Sequence, residues 1–347
     1  MNKFLRRLLT LLIFVVFLSC SRSVTTVNDL GLIDGKYDSD FVQISENKKL
    51  DELVNSVKML NCIAYYESYT FSFSSNLKKE NLSKPTFKKI AISESHSTET
   101  ASGTATIIYS DNEKAALLTC AHIIDFQDTL ITFFKDNFGK STDIIESISI
   151  KTKQTNLLPE YTFLNKVEIL AVDNSSDIAV IGSNIKKNNS QIFNTFKLKA
   201  GNAEELTWGT KVYMLGFPLN YKMITSGIVS PFQEFEHDYF LVDAVFNRGF
   251  SGGIVLAIRD GAPNFEIVGM IKSGTVHKDF KLKPKTDNSD FVFVPQAVYK
   301  GEVIVEQETD IKYGITKILT INKILEVLNE NSDKFNDLGY RFDLFFK

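Results

Sequence analysis

Residues 243–253 read Asp243-Ala244-Val245-Phe246-Asn247-Arg248-Gly249-Phe250-Ser251-Gly252-Gly253, followed by the apolar run Ile254-Val255-Leu256-Ala257-Ile258. Glycines on both sides of a serine permit a tight turn with unusual φ. Such a turn exposes the hydroxyl and aims backbone N–H groups at one point, an arrangement worth roughly 3–4 kcal/mol per donor to a developing oxyanion. The residues after the turn bear on the architecture. The run 254–258 reads as a strand, whereas the G-x-S-x-G elbow of strand–turn–helix folds leads into a helix.

Outward from this turn, the chain is a series of short strands separated by turn residues. In the second half they fall at 211–215, 223–229, 239–245, 254–258 and 265–271. In the first half they fall at 69–73, 89–93, 103–110, 115–119, 129–134, 148–151, 167–172 and 178–181. A polar linker at 183–191 divides the two sets. Many short strands of this kind predict a β-barrel or sandwich architecture, and the central linker is consistent with two barrels. Leu50, Leu53, Val54, Val57 and Leu60 share one face of an expected helix. Ile321, Ile324, Leu325 and Leu328 share another, with Thr320 as its N-cap. The Lys-rich stretch 275–290 reads as an exposed loop.

Of four histidines, His96, His122, His237 and His277, only His122 closes an apolar strand, Leu117-Leu118-Thr119-Cys120-Ala121. A strand end is a rigid platform for a general base, although a lone histidine there is more often structural. Asp177 precedes the apolar Ile178-Ala179-Val180, so its carboxylate is partly desolvated and needs a partner. Taken alone, it reads more readily as a turn cap. Taken together, the order His, Asp, Ser, with gaps of 55 (177 − 122) and 74 (251 − 177) residues, is one of three known chain orders for a Ser-His-Asp triad.

These segments resemble the trypsin-like peptidase clan and, within it, the HtrA (Deg-type) peptidases. Thr119-Cys120-Ala121-His122 is similar to the T-x-A-H motif, and Asp177-Ile178-Ala179-Val180 to D-[IL]-A-[VL]. The segments 209–218, 225–230 and 243–253 resemble the family's G-x-x-V-x-x-x-G-x-P, T-x-G-I-V-S and D-A-x-x-N-x-G-x-S-G-G runs. The resemblance implies an all-β fold of two six-stranded antiparallel chymotrypsin-like barrels, with a helix at each end. It implies Ser251 as nucleophile, His122 as general base and Asp177 as its orienting partner. It also places the oxyanion donors at the N–H groups of Gly249 and Ser251, the pocket floor at Val245, and the pocket wall at Lys272, Ser273 and Gly274. The chain departs from the family's usual Asn before the serine (Phe250) and from its frequent Pro after S-G-G (Ile254). No PDZ-like module is expected after the barrels.

The N-terminus carries Lys3, Arg6 and Arg7 before an apolar stretch, 8–18, that is too short to span a bilayer. It ends in Leu18-Ser19-Cys20, which resembles a lipoprotein lipobox with Cys20 as the lipidated residue; a plain secretion signal is the other reading. The expected organisation is a signal peptide at 1–19, a tether at 20–45, barrel lobes at 46–185 and 186–300, and a helix with an aromatic tail at 301–347. Cys62 and Cys120 either pair or remain buried thiols.

The sequence has 44% hydrophobic residues and a net charge of −3, so a sizeable core is expected and no basic field for nucleic acid. H-E-x-x-H and phosphate-cradling glycine loops are lacking, and no metal or cofactor is expected. The expected partners are a protein or peptide substrate and, through the lipid, a membrane of the cell envelope, with the fold facing the periplasm or the cell exterior. A catalytically weak or inactive protease-fold binding lipoprotein is the competing reading.

Overall fold

In a computed structural model of the chain, described for residues 35, 37, 48–82, 84–137, 139–161, 167–185, 199–231, 238–261, 264–284 and 302–342, side-chain alternation decides which face each strand buries. A short helix, α1 (Lys48–Ser56), runs directly into β1 (Val57–Thr70). The helix expected over 50–60 therefore stops at Ser56. From there Leu60, Cys62, Ala64 and Tyr66 are buried at every second position, which is the strand period.

The first sheet contains β1, β2 (Ser93–Ser110), β3 (Lys114–Thr119), β4 (Thr129–Lys135), β5 (Ser141–Leu157), β6 (Glu168–Asp173) and β7 (Ile178–Asn184), in the order β4-β5-β1-β2-β3-β7-β6. Two helices interrupt it, α2 (Lys84–Ile90) and α3 (Ala121–Ile124). The second sheet contains β8 (Lys199–Ala200), β9 (Lys211–Gly216), β10 (Met223–Pro231), β11 (Tyr239–Val242), β12 (Ile254–Ile258), β13 (Phe265–Pro284) and β14 (Val303–Thr320). Its order is β12-β9-β10-β11-β14-β13, with β13 pairing back onto β12 to close a ring of six; β8 adds to β13 in parallel.

The expectation of two six-stranded barrels is thus corrected. One barrel is closed and six-stranded, while the other lobe is an open seven-stranded half-barrel in which β4 and β6 are edges among the described residues. Two features account for the difference. β5 crosses a polar region as one 17-residue strand and extends the first sheet outward. β14 takes the sixth place in the second sheet. Of the two, only 148–151 within β5 has a pattern that reads as a strand; the rest of β5 and the length of β14 mix polar and apolar residues. The stretch 275–284, expected as a loop, is strand β13, and the strand expected at 89–93 is not formed: Lys89 and Ile90 end α2, which has Pro85 in its first turn, and β2 opens only at Ser93.

One core runs through both sheets. A smaller one, built on Tyr69, Phe71, Leu77, Phe87, Ile145 and Ile148, lies under β1 and β5. The N-cap assigned to Thr320 is present: its Oγ1 accepts the N–H of Lys323 at 3.3 Å and opens α4 (Ile321–Glu330). After α5 (Ser332–Asp337) the chain returns to the first sheet. Phe335, Tyr340 and Phe342 are buried there, and Tyr340 meets Tyr109 of β2 edge-on at 5.5 Å. Cys62 and Cys120 are free and buried. The signal peptide, Cys20, most of the tether, His237, Phe345 and Phe346 lie outside the described residues. Among the described residues no helix is long and apolar enough to cross a membrane.

Candidate active site

β3 and β7 run antiparallel with Thr119 opposite Ala179, so the ends of the two strands bring residues 120–122 beside residue 177. Burial of Ile178 to Ile181 fixes β7 in register, and Asp177 enters it with φ 64. That left-handed backbone is open to aspartate at small cost. It turns the carboxylate back onto the first turn of α3. Oδ1 accepts the backbone N–H of His122 at 2.9 Å, and both oxygens lie against the ring Nδ1, at 3.0 and 2.8 Å. The backbone bond locks the carboxylate, and the ring bond directs Nδ1 inward, leaving Nε2 for the cleft. The carboxylate is mostly covered, at 13% exposure, while the imidazole is half exposed. A base needs that access to solvent and substrate.

Ser251 enters from the other sheet. Its turn is held by backbone bonds from Gly252 N to Ile271 O (2.8 Å), Gly253 N to Phe250 O (2.9 Å) and Phe250 N to Asn247 O (3.1 Å). The amides of Gly249 and Ser251 have no acceptor among the described residues. The carbonyl of Arg248 accepts the N–H of Leu219 at 2.7 Å, and in a trans peptide this sends the Gly249 N–H the opposite way. The glycines are required by space. At Gly249 (φ +97) a Cβ would lie 2.3 Å from the Phe217 carbonyl oxygen. At Gly252 (φ +85) it would lie 2.0 Å from that of Thr104.

Thr104, on β2, stitches the two sheets at this turn. It is fully buried, its N–H donates to Ser251 O at 2.8 Å, and its Oγ1 donates to Gly249 O at 2.7 Å while accepting Phe217 N at 2.9 Å. Motif reading gave Thr104 no role. The signal available was weak, because Thr104 stands between Ser102 and Thr106 and nothing local singles out its hydroxyl, although a buried hydroxyl needs partners. Phe250 is buried against Gly216, pointing into the second barrel, so the departure from Asn at this position is a packing change.

His122, Gly249, Ser251, Ser273 and Gly274 line one cleft of about 550 Å³ between the sheets, with Phe246 and Leu219 as apolar walls. Two predicted pocket residues are not among them. Val245 is 56% exposed, because extended alternation past β11 turns Ala244 and Phe246 inward and Val245 out. Lys272 sits at a bulge in β13. Its ammonium lies over the Tyr239 ring, donates to Tyr239 OH at 2.9 Å, and reaches Ser176 O at 3.4 Å, behind Asp177. Leu219 and Asn220, both at positive φ, shape the opposite rim.

Cys120 Sγ, a His122 nitrogen and an Asp177 oxygen lie within 4.8 Å of one another. The donor chemistry does not suit a cation. Burial, and then the Asp177 charge, push the Cys120 thiol well above its ordinary range, and it donates to Ile271 O at 3.4 Å. A metal ligand must be the thiolate. The carboxylate is already engaged by His122.

No curated protein sequence matches the chain. Among solved structures it is similar to the HtrA-type protease AlgW with tripeptide, at 16% identity and a TM-score of 0.39, covering 82% of this chain and 62% of that one. It is similar to the serine endoprotease from Yersinia pestis at 16% identity and a TM-score of 0.39, covering 84% and 67%. It is also similar to Deg5 at 14% identity and a TM-score of 0.34, covering 67% and 88%. The chain therefore spans less than two thirds of the AlgW chain. Residues 103–270, the stretch that holds His122, Asp177 and Ser251, match the family model described as the trypsin-like peptidase domain.

Proposed function

We propose that this chain is a serine endopeptidase that hydrolyses peptide bonds through an acyl-enzyme on Ser251. His122 takes the proton of the Ser251 hydroxyl as Oγ attacks the scissile carbonyl. Asp177 holds the ring and stabilises the imidazolium, and the N–H groups of Gly249 and Ser251 receive the oxyanion. His122 then protonates the leaving amine, and water, deprotonated in turn by His122, releases the acyl group. The observation that carries this reading is the shared cleft. An imidazole locked by a carboxylate, a serine on a glycine turn, and two backbone amides without acceptors among the described residues converge there. Phe246 as an apolar wall supports an apolar residue on the acyl side of the scissile bond.

The reading extends to the cell envelope. Cys20 carries the lipid, and the enzyme faces the periplasm or the cell exterior. The peptidase test is digestion of an unfolded protein by the purified chain. Cleavage is expected from the native sequence and none from Ser251→Ala; equal activity in both would overturn the assignment. Metabolic labelling with a fatty-acid analogue tests the anchor. Incorporation is expected to vanish in Cys20→Ala, and labelling that survives the substitution would overturn the anchor at this residue.

A further inference from the structure

β13 does not end at the cleft. It is flanked by β12 only as far as Met270, and from Ser273 onward β14 is its one neighbouring strand among the described residues. The pair continues as a two-stranded ribbon to Pro284, opposite Val303. Among the described residues no third strand flanks this ribbon, and a two-stranded ribbon by itself is marginally stable in water. The two faces differ. Leu282 is opposite Val305 and Pro284 is opposite Val303, and Phe280 lies two residues before Leu282 on the same side. Phe280, Leu282, Val303 and Val305 are 74, 69, 54 and 67% exposed. The opposite face carries Ile304 and the Lys283–Glu306 ion pair at 3.0 Å. Exposed apolar surface is thus concentrated on one face, with Ile304, 44% exposed, on the other, and such a stripe marks a contact surface.

We propose that this ribbon is an extended docking arm for the substrate chain, an unfolded polypeptide with apolar residues at alternate positions, bound as an added strand along β13. The proposal rests on the peptidase reading for the identity of its ligand. Continuity with the cleft selects this occupant, because Ser273 and Gly274 line the cleft and lie just beyond Met270, where the outer edge of β13 loses β12. A strand added there leads into the site past the register shifts that flank Ser273 and Gly274, and its side chains alternate onto the apolar stripe. Antiparallel pairing, the more stable form, places residues on the N-terminal side of the scissile bond along the arm. At about 3.3 Å per residue, Phe280 stands roughly 20 Å beyond Gly274, so peptides ending within the cleft do not reach it.

The test uses the full chain with Ser251→Ala and fluorescent peptides sharing one cleft sequence but extended N-terminally by about four, eight and twelve residues with alternating valines. Affinity is expected to rise about tenfold between the shortest and longest peptides. That gain should vanish in Phe280→Lys/Leu282→Lys and persist in Ile304→Lys on the other face. Val305→Lys repeats the test if the double variant fails to fold. The proposal is overturned by affinity independent of length, or by a gain that survives the lysines. It is overturned too if the lysines leave peptide binding intact and instead abolish self-association in sedimentation or flotation with phosphatidylglycerol vesicles. Hydrolysis by the Ser251 form is read separately. Arm-dependent binding without cleavage removes the peptidase reading alone, and cleavage without a length gain removes the arm alone.

Discussion

Thr104 shows how much a single buried hydroxyl holds at this site. It donates to one strand of the serine turn and accepts from the neighbouring loop, so removing it leaves a carbonyl and an amide unsatisfied in a dry interior. Each such orphan costs about 1–3 kcal/mol. Thr104→Val is therefore expected to fold with reduced stability and a lower kcat at nearly unchanged KM, because Thr104 positions the turn without touching substrate. Thr104→Ser should restore kcat, and a variant impaired only in KM would contradict this role. Asp177→Asn tests the partner of His122. It keeps the shape but frees the ring to adopt the wrong tautomer, with an expected loss in kcat of about 10⁴-fold in steady-state assays. Burial pushes the Cys62 thiol up to about 12, and the Cys120 thiol is raised as well. Neither is expected to react with a thiol reagent at neutral pH until the chain is unfolded in denaturant; rapid labelling of the native protein would contradict their placement.

Elements differ in how clearly they announce themselves. β3, β7, β9 and β12 carry dense apolar runs and are legible from composition. α4 is legible as well, because the Thr320 hydroxyl stands directly before a clean helical stripe. β5 and β14 are long and mixed in polarity, so only 148–151 of β5 reads as a strand and the remainder is not announced by pattern. The C-terminal segment shows a second kind of silence. Its aromatic residues require a partner, but nothing local reveals that Tyr340 meets Tyr109, 231 residues earlier (340 − 109). Phe335 packs on Phe342 at 4.7 Å, and Phe335→Ala is expected to cost about 3–5 kcal/mol in denaturant unfolding. The Tyr109 and Tyr340 phenols are each raised to about 12, chiefly by burial and, for Tyr109, also by its hydrogen bond to Asp111. A raised phenol favours the neutral form in the fold. Its contribution is complete below the ordinary phenol range near 10 and is lost as pH rises towards about 12. Thermal stability should therefore fall over that window, and less steeply in Tyr109→Phe; identical slopes would contradict the linkage.

At the scale of the molecule, the site is a product of the seam. His122 and Asp177 belong to the open half-barrel and Ser251 to the closed barrel, and Thr104 joins the two sheets. The order and spacing of the three motifs made the candidate site readable, because each sits at a strand end or on a glycine turn whose chemistry is local. The closure of one lobe and the openness of the other were not readable, because they depend on which strands pair over long separations. The cleft's walls were only partly legible for the same reason: Phe246 replaces Val245 through a one-residue alternation in an irregular segment. The proposed chemistry requires Ser251 to be an activated nucleophile. Intact-mass and peptide-mapping analysis of the purified chain after exposure to a fluorophosphonate reads that property directly. A single adduct is expected on Ser251, lost in Ser251→Ala and strongly slowed in His122→Ala. A native, folded chain that takes no adduct across neutral to mildly alkaline pH, or takes it on another residue, would contradict the assignment.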